Sequence, residues 1–493
     1  MKTDIMDASR VSPPTGTRLE TPTKSEIKTG SFNFSQIERY FRMAPADDGF
    51  QPVSDRTFSD LDLEDVFKFI DRTHSCVGQQ YLYHMLRTVP RDRARVGALE
   101  NTVDVFQKNP AFRRVAAEEL AKLDNRDAYY IASLFQGEHI KEPKWLLLIK
   151  MLSGVSLAAA VLSFLFPKLL ILLLLLFPVN MGIHYWNKNN LYQYGSSIPQ
   201  MLVMVRIARK LARVPEFSGL QGIQKSIDSL RSAGRKMAIF KMEAKLQSEI
   251  GQIVDYLLEL VKALFLIEPV LLFSSLDTLK TRKQDISNVF HFIAEADAAL
   301  SILALRESVP YHCRMDAGLA TKRIKAREMY HPLIWNGVPN DIALQGKSAL
   351  LTGSNMSGKT TFVRTVGINA ILGQTINTCF AKEFAMPPMN VRSAIRMADD
   401  LLDGKSYYLE EVMTIKSLVE ECAACDRRLI LLDELFKGTN SVERIAIGKS
   451  VLSYLAKQGN LVFVATHDRE LADYLSDTYE LLDQDQMLWS TLD

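Results

Sequence analysis

The hydrophobic and polar positions divide the chain into stretches with different periodicity. Residues 1–50 are rich in Ser, Thr, Pro and Lys and have no apolar periodicity beyond Phe32 to Phe41, so we expect most of this segment to be a flexible N-terminal tail. Apolar residues then recur at helical spacing from 51 to 144 and again from 187 to 325, which predicts a helical body in two parts. From 326 to 493, short apolar runs lie between segments of helical periodicity, so we expect a C-terminal α/β domain.

A strongly apolar insert at 145–186 separates the two helical parts. Its first half, 146–166, is apolar except for Lys150, and its second half, 169–186, has no acidic or basic residue apart from His184. About 20 apolar residues are enough to cross the hydrocarbon core of a bilayer. We therefore expect a two-helix transmembrane hairpin. Because the turn between the halves is very short, a shallow or re-entrant insertion is one alternative, and a hairpin buried within protein is the other.

Basic and aromatic residues flank the outer ends of this insert, as in the interfacial belts of membrane proteins. They are Lys141, Lys144, Trp145, Tyr185, Trp186 and Lys188. This clustering at one end favours the membrane hairpin over a buried one, and it implies contact of residues 145–186 with membrane lipids.

A glycine-rich segment near residue 355 matches the P-loop pattern G-x-x-x-x-G-K-[ST]. Glycines let backbone N–H groups turn towards phosphate oxygens, and the helix that follows adds its N-terminal dipole. Lys359 is expected to reach the outer phosphates, and Thr360 is expected to ligate Mg²⁺. The candidate nucleotide-binding residues are Gly353, Ser354, Asn355, Met356, Ser357, Gly358, Lys359, Thr360 and Thr361.

Two further apolar runs end in residues that suit phosphate chemistry. The run at 428–432 is followed by Asp433, which would hold the Mg²⁺ shell, and by Glu434, which would polarise the attacking water. The run at 461–465 is followed by Thr466 and then by His467, which could contact the γ-phosphate. In this order, after a P-loop, the runs indicate a nucleoside triphosphatase with Lys359, Glu434 and His467 in catalytic roles.

The residues between and within these runs resemble the MutS family of mismatch-repair ATPases. The phosphate loop, residues 353–360, fits the family pattern G-x-N-M-x-G-K-[ST], and the segment 398–406 resembles its A-D-D-L…G-[RK]-S loop. Residues 433–439 are similar to its D-E-x-x-[RK]-G-T motif, and 465–467 to its A-T-H. The L-S-G-G-Q motif of transporter-type ABC ATPases does not occur in the sequence, so the resemblance is specific to the MutS family.

The resemblance implies a Mg²⁺-dependent ATPase that works as a homodimer with composite ATP sites. Ser406 of one subunit would complete the P-loop of the other by donating to the γ-phosphate. ATP would then close the dimer and hydrolysis would reopen it, moving the helical parts, which resemble the family's core and lever. At the entry to its ATPase domain the family often has an aromatic residue against the adenine. The corresponding residues 336–340 of this chain have none, so Tyr330 or Trp335 is the candidate substitute.

The chain departs from a mismatch-repair MutS in its N-terminal part. There is no room for a mismatch-reading domain before residue 57, and no F-x-E triplet, the wedge with which such proteins detect mispairs, occurs there. The net charge of +2 gives no general argument for nucleic-acid binding, although basic residues are in excess between 206 and 245. We expect a membrane-anchored ATPase that clamps DNA without sequence specificity. The alternative is a nucleotide-switched membrane scaffold that binds a protein partner.

The expected cellular location of the protein follows from where ATP is available. An ATPase domain at 326–493 must lie in the cytosol to meet ATP, so both ends of the insert at 145–186 must be cytosolic, which gives a two-pass topology on the cytoplasmic face. The five scattered cysteines also suit a reducing compartment.

Overall fold

The computed structural model describes most of the chain between residues 28 and 483. The described residues are 28, 32–45, 49–137, 143–195, 197–214, 222–236, 252–319, 322–334, 337–353, 358–395, 407–422, 427–436, 439–457 and 459–483.

The N-terminal part is a helical body with one short two-stranded sheet. Its strands are β1 (Phe50–Pro52) and β2 (Thr88–Pro90). Its helices are α1 (Phe34–Ile37), α2 (Arg39–Met43), α3 (Asp55–Asp60), α4 (Leu63–Ile70), α5 (Cys76–Arg87), α6 (Arg93–Lys108), α7 (Pro110–Leu120), α8 (Ser133–Gln136), α9 (Leu146–Leu162), α10 (Leu169–Gly195), α11 (Ser197–Leu211), α12 (Ile223–Lys236), α13 (Gln252–Phe265), α14 (Ile267–Thr281) and α15 (Lys283–Ser308).

The prediction of a flexible tail over residues 1–50 is wrong for its last part. Residues 34–43 form α1 and α2, and Ile37 and Tyr40 are buried in the helical core. The Tyr40 ring lies 5.0 Å from that of Phe290 on α15. The segment folds because a few aromatic and aliphatic side chains bury enough apolar surface against the body to outweigh the polar composition around them.

The long helix α15 forms the centre of the body and packs against α5, α6, α11 and α12. Its Asp297 is fully buried and accepts backbone N–H groups of His74 and Ser75, each at 2.8 Å, at the start of α5. A carboxylate at this position satisfies amide groups that a helix N-terminus leaves unpaired. Gly78 is required beside it, because a Cβ there would lie 2.2 Å from the Asp297 carboxylate.

The apolar insert forms two helices, α9 and α10, that pack against each other. The rings of Trp145 and Trp186, at the two outer ends, lie 4.8 Å apart. By length and composition, two described helices could cross a membrane: α15 and the Leu169–Trp186 part of α10. Of these, α15 is 78% buried as a core helix, whereas the span in α10 is 11% buried. The shorter α9 is also apolar and exposes most of one face.

The C-terminal part is an α/β domain with two sheets. Five parallel strands are ordered β10-β5-β9-β8-β7, and three antiparallel strands are ordered β4-β3-β6. The strands are β3 (Arg323–Met329), β4 (Asn340–Gln345), β5 (Ser348–Thr352), β6 (Glu383–Ala385), β7 (Asn390–Ala394), β8 (Arg428–Asp433), β9 (Leu461–Ala465) and β10 (Tyr479–Asp483). The helices are α16 (Lys359–Thr375), α17 (Tyr407–Cys422), α18 (Ser441–Leu455) and α19 (Glu470–Leu475).

The parallel order of the strands determines where the site lies. In β5 and β9 every residue is buried, as expected of strands covered on both faces. The strand β9 lies between β5 and β8, with Leu350 opposite Val464 and Leu432 opposite the same residue. Because parallel strands end at one edge, the residues after β5, β8 and β9 meet there.

Candidate functional site

The phosphate loop begins where β5 ends and closes at the start of α16. Gly353 has φ 140° and Gly358 has φ 83°, conformations that residues with a Cβ rarely adopt, so glycine is needed at both ends of the loop. The N-terminus of α16 has no side-chain cap. The buried Lys359 Nζ donates to the Gly353 carbonyl at 2.8 Å, across the mouth of the loop. The predicted loop residues 354–357 lie outside the described residues.

Thr360 and Asp433, the two predicted metal ligands, are brought into direct contact. The Thr360 hydroxyl donates to the Asp433 carboxylate at 2.8 Å, and both side chains are partly buried. These hard oxygen ligands, one from the helix after β5 and one from the end of β8, fit Mg²⁺, which binds proteins through one or two carboxylates and keeps several waters. Among the described residues no group of three His, Cys, Asp or Glu forms a metal site. The donor set therefore suits Mg²⁺ held jointly with phosphate oxygens.

Glu434 and His467 form a second pair at the same edge. His467 Nε2 lies 2.7 Å from Glu434 Oε1, so the imidazole contacts the carboxylate of the residue predicted to be the general base. Glu434 has φ 49°, a left-handed conformation uncommon for a residue with a side chain. Its N–H donates to the Ala465 carbonyl at 2.8 Å, which fixes the turn after β8 against the end of β9. The contact of His467 with the γ-phosphate remains a prediction, and in this structure its imidazole contacts the Glu434 carboxylate.

Two features of the site were missed in the sequence. The buried Glu411 on α17 accepts the backbone N–H of Phe436, just beyond Glu434, so α17 is tied to the turn that carries the base. Arg444 on α18 binds Asp468 through two hydrogen bonds of 2.8 and 2.7 Å. Hydrogen bonds from Arg444 to the Asp468 carboxylate raise the pKa of the guanidinium. The sequence signal for Glu411 was its place as the glutamate that follows the 398–406 segment in the family resemblance. Asp468 directly follows the A-T-H motif, and no motif pointed to Arg444.

The remaining predicted residues fall into two groups. Ser406 and Trp335 lie outside the described residues. Tyr330 is described and is buried: its hydroxyl donates to the Tyr311 carbonyl at 2.9 Å, and its ring packs 5.5 Å from that of Phe380. The proposed role of Tyr330 against adenine is therefore wrong, because its ring is part of the core. Thr361 lies in the first turn of α16, where its carbonyl accepts from the Thr365 hydroxyl at 2.7 Å.

These observations define the class as an α/β domain with a Walker-type site at the carboxyl edge of a parallel sheet. Residues 349–487 match a family model described as MutS domain V. Similar proteins include the DNA mismatch repair protein MutS of Petrotoga mobilis, 34% identical over 171 residues (32% of this chain, 20% of that protein), and that of Thermus thermophilus, 33% identical over 185 residues (36% and 22%). The MutS of Thermotoga maritima is 28% identical over 247 residues (48% and 30%).

The C-terminal α/β domain is therefore a MutS-family domain, as its motifs predicted. The chain matches at most about a third of the length of these curated relatives.

Proposed function

We propose that this protein binds and hydrolyses ATP with Mg²⁺ at the edge formed by β5, β8 and β9. The observation that carries the proposal is the 2.8 Å contact between Thr360 and Asp433, which come from separate motifs 73 positions apart. Lys359 and the Glu434–His467 pair lie at the same strand ends. The relationship to MutS proteins supports the same chemistry.

Each side chain has a definite task in this proposal. Lys359 exchanges its bond to the Gly353 carbonyl for phosphate oxygens when nucleotide binds, so the ammonium is already held at the loop mouth. Thr360 and Asp433 hold Mg²⁺, which neutralises developing charge on the phosphates when bound. Glu434 accepts a proton from the attacking water, and His467 orients its carboxylate. The buried Glu411 fixes the turn that presents Glu434.

The proposed enzyme acts as a homodimer in which Ser406 of one subunit completes the ATP site of the other. Described residues on either side of positions 396–406 contact the helical body. Asp60 on α3 accepts the Ile395 N–H at 3.1 Å, and Arg56 on the same helix binds Glu410 at 3.0 Å. Closure of a dimer on ATP would therefore move α3, and with it the helical body.

The sharpest test of the hydrolytic proposal is Glu434→Gln. Removing the base while keeping its shape should lower the rate of ATP hydrolysis by about 10²–10⁴-fold with ATP binding retained. Glu470→Gln, an exposed acid on the neighbouring α19, is the matched control and should hydrolyse ATP normally. Unchanged turnover in Glu434→Gln would overturn the assignment of the base.

The ligand of the closed dimer is proposed to be DNA, bound without sequence specificity. The curated relatives are mismatch repair proteins by name, and the basic excess between 206 and 245 agrees with phosphate contacts. Affinity for a DNA duplex, measured with and without ATP, should fall steeply as salt is raised. A complex that is insensitive to salt, or no DNA binding at all, would favour the alternative, a nucleotide-switched scaffold for a protein partner.

We also propose that α9 and α10 attach the protein to a membrane, with the ATPase domain in the cytosol. The exposed apolar faces of both helices support this, since soluble proteins rarely leave so large an apolar surface uncovered. The span Leu169–Trp186 is about 27 Å long, close to the roughly 30 Å of a hydrocarbon core. Purified protein should float with liposomes in a density gradient. Protein that stays in the dense fraction would contradict the attachment.

A further inference from the structure

A second pair of helices packs against the apolar hairpin. The helices α13 and α14 turn back on each other at Leu266 and contact both α9 and α10. Leu266 has φ 49° and is fully buried, so the tip of this pair is covered by its neighbours. The apolar sequence between 256 and 272 is interrupted by Glu259, Lys262 and Glu268.

Side chains of the α9–α10 hairpin donate hydrogen bonds to the last carbonyl groups of α13. Asn180 Nδ2 donates to the Leu264 carbonyl at 2.6 Å and to Ser156 Oγ at 2.9 Å. Ser153 Oγ donates to the Phe265 carbonyl at 2.7 Å. The last carbonyls of a helix have no partner within the helix and are usually left to water. Here polar groups of α9 and α10 replace that water, which is the arrangement required where water is absent.

Three charged residues near the tip of this pair, Glu259, Lys262 and Glu268, form ion pairs with one another and with the hairpin. His184 on α10 lies 3.2 Å from Glu259 and 3.5 Å from Glu268, and Lys262 lies 3.4 Å and 3.2 Å from the same two acids. His184 and Glu268 are buried. These ion pairs lie between the two hairpins. The apolar Val261, one helical position before Lys262, is 45% exposed on the outside of α13.

The height of the tip can be measured along the hairpin. The Trp145–Trp186 pair marks the level at which aromatic residues meet the headgroups. At a rise of about 1.5 Å per residue along each helix axis, Asn180 on α10 lies roughly 9 Å from Trp186, and Ser153 on α9 lies roughly 12 Å from Trp145, both in the direction of the turn between α9 and α10. The tip of the α13–α14 pair, bonded to both, therefore reaches about 10 Å past the aromatic level.

We propose that the α13–α14 pair is a re-entrant membrane element that enters the leaflet on the ATPase side beside the α9–α10 hairpin. Its occupant is lipid hydrocarbon on the Val261 side, and the hairpin covers its other side. This inference rests on the membrane attachment proposed above. It makes the anchor a four-helix unit, through which the second part of the helical body is held directly at the bilayer.

Depth-dependent fluorescence quenching tests the proposal. Single cysteines are placed at three exposed apolar positions in a chain whose natural cysteines are replaced by alanine, and each is labelled with bimane in liposomes containing brominated lipids. Leu174→Cys, 73% exposed on α10, reports the hairpin. Val261→Cys reports the re-entrant pair, and Val442→Cys, 78% exposed on the ATPase domain, is the matched aqueous control.

We expect bromines near the headgroups to quench Val261→Cys at least twofold more than Val442→Cys, and bromines deep in the chains to quench Leu174→Cys. If Leu174→Cys is quenched but Val261→Cys behaves like Val442→Cys, the re-entrant pair is refuted and the anchor is the hairpin alone. If neither Leu174→Cys nor Val261→Cys is quenched, the membrane attachment itself fails.

Discussion

The buried Arg306 offers the most informative test of how the helical body holds the C-terminal α/β domain. It lies in the last turn of α15 and binds Glu100 of α6 through two hydrogen bonds, one of them 3.0 Å long. The same guanidinium donates to the Thr378 hydroxyl at 3.0 Å and to the Asn377 carbonyl at 3.1 Å, just after α16, the helix of the phosphate loop. One side chain thus joins the body to the far end of α16.

The loss of stability expected in Arg306→Met comes from the Glu100 carboxylate, which stays buried without the guanidinium. Removing one partner of a buried ion pair costs about 3–5 kcal/mol, because the other charge stays buried without compensation. Glu100 keeps Arg314 at 2.8 Å and the Asn377 amide at 3.0 Å, so we expect the lower end, about 3 kcal/mol. A local loss of that size makes exchange-competent opening about a hundredfold more frequent.

Hydrogen exchange followed by mass spectrometry measures this change. In Arg306→Met the amides of 376–380 should exchange about a hundredfold faster. Arg114→Met, which removes an 86% exposed arginine, should leave them unchanged. Adding Glu100→Gln to Arg306→Met should recover part of the loss, because no buried charge then remains. Protection in Arg306→Met within about threefold of the parent, or a double variant as impaired as the sum of two singles, would refute the reasoning.

Two smaller predictions test packing and thiol chemistry. A Cβ at Gly367 on α16 would lie 2.4 Å from a methyl of Leu431 on β8, so Gly367→Ala should destabilise the domain by about 1–3 kcal/mol in thermal unfolding. Gly97→Ala, where a Cβ meets nothing within 4 Å, should instead stabilise the protein by about 0.5–1 kcal/mol. A stabilising Gly367→Ala together with a destabilising Gly97→Ala would contradict the packing described. A hydrogen bond to a neighbouring thiol lowers the pKa of Cys313, whereas burial raises that of Cys76 to about 11. Because thiolate is the reactive form, iodoacetamide at neutral pH should modify Cys313 well before Cys76, as peptide mass spectrometry would reveal; equal rates would contradict this.

The meeting of Thr360 and Asp433 could be predicted from sequence for a physical reason. Each residue follows the end of a buried parallel strand, and such strands end at one edge whatever the lengths of their connections. The pairing of His467 with Glu434 could not be predicted, since it depends on the left-handed turn at Glu434. The role of Tyr330 was misjudged because an aromatic next to a nucleotide motif and an aromatic in the core look alike in sequence.

The sequence predicted that the N-terminal part of the chain is helical, but it could not predict how the helices pack against one another. Helical periodicity indicates which face of a segment is apolar, but it cannot tell which segment covers it. The Arg306–Glu100 pair joins residues 206 positions apart, and the bonds from Asn180 to the tip of α13 span 84 positions. The pairing of Glu259, Lys262 and Glu268 with the hairpin could not be predicted either, because an average hydropathy counts a paired charge the same as one that faces water.

The central claim is that the phosphate loop and the Thr360–Asp433 pair form one site for ATP and Mg²⁺. Calorimetric titration of the folded protein with ATP tests it directly, with Mg²⁺ present or removed by a chelator, and with Lys359→Ala as a second arm. The account predicts saturable binding with Mg²⁺ that weakens without the metal and in Lys359→Ala. A folded preparation that does not bind ATP in the presence of Mg²⁺ would contradict it.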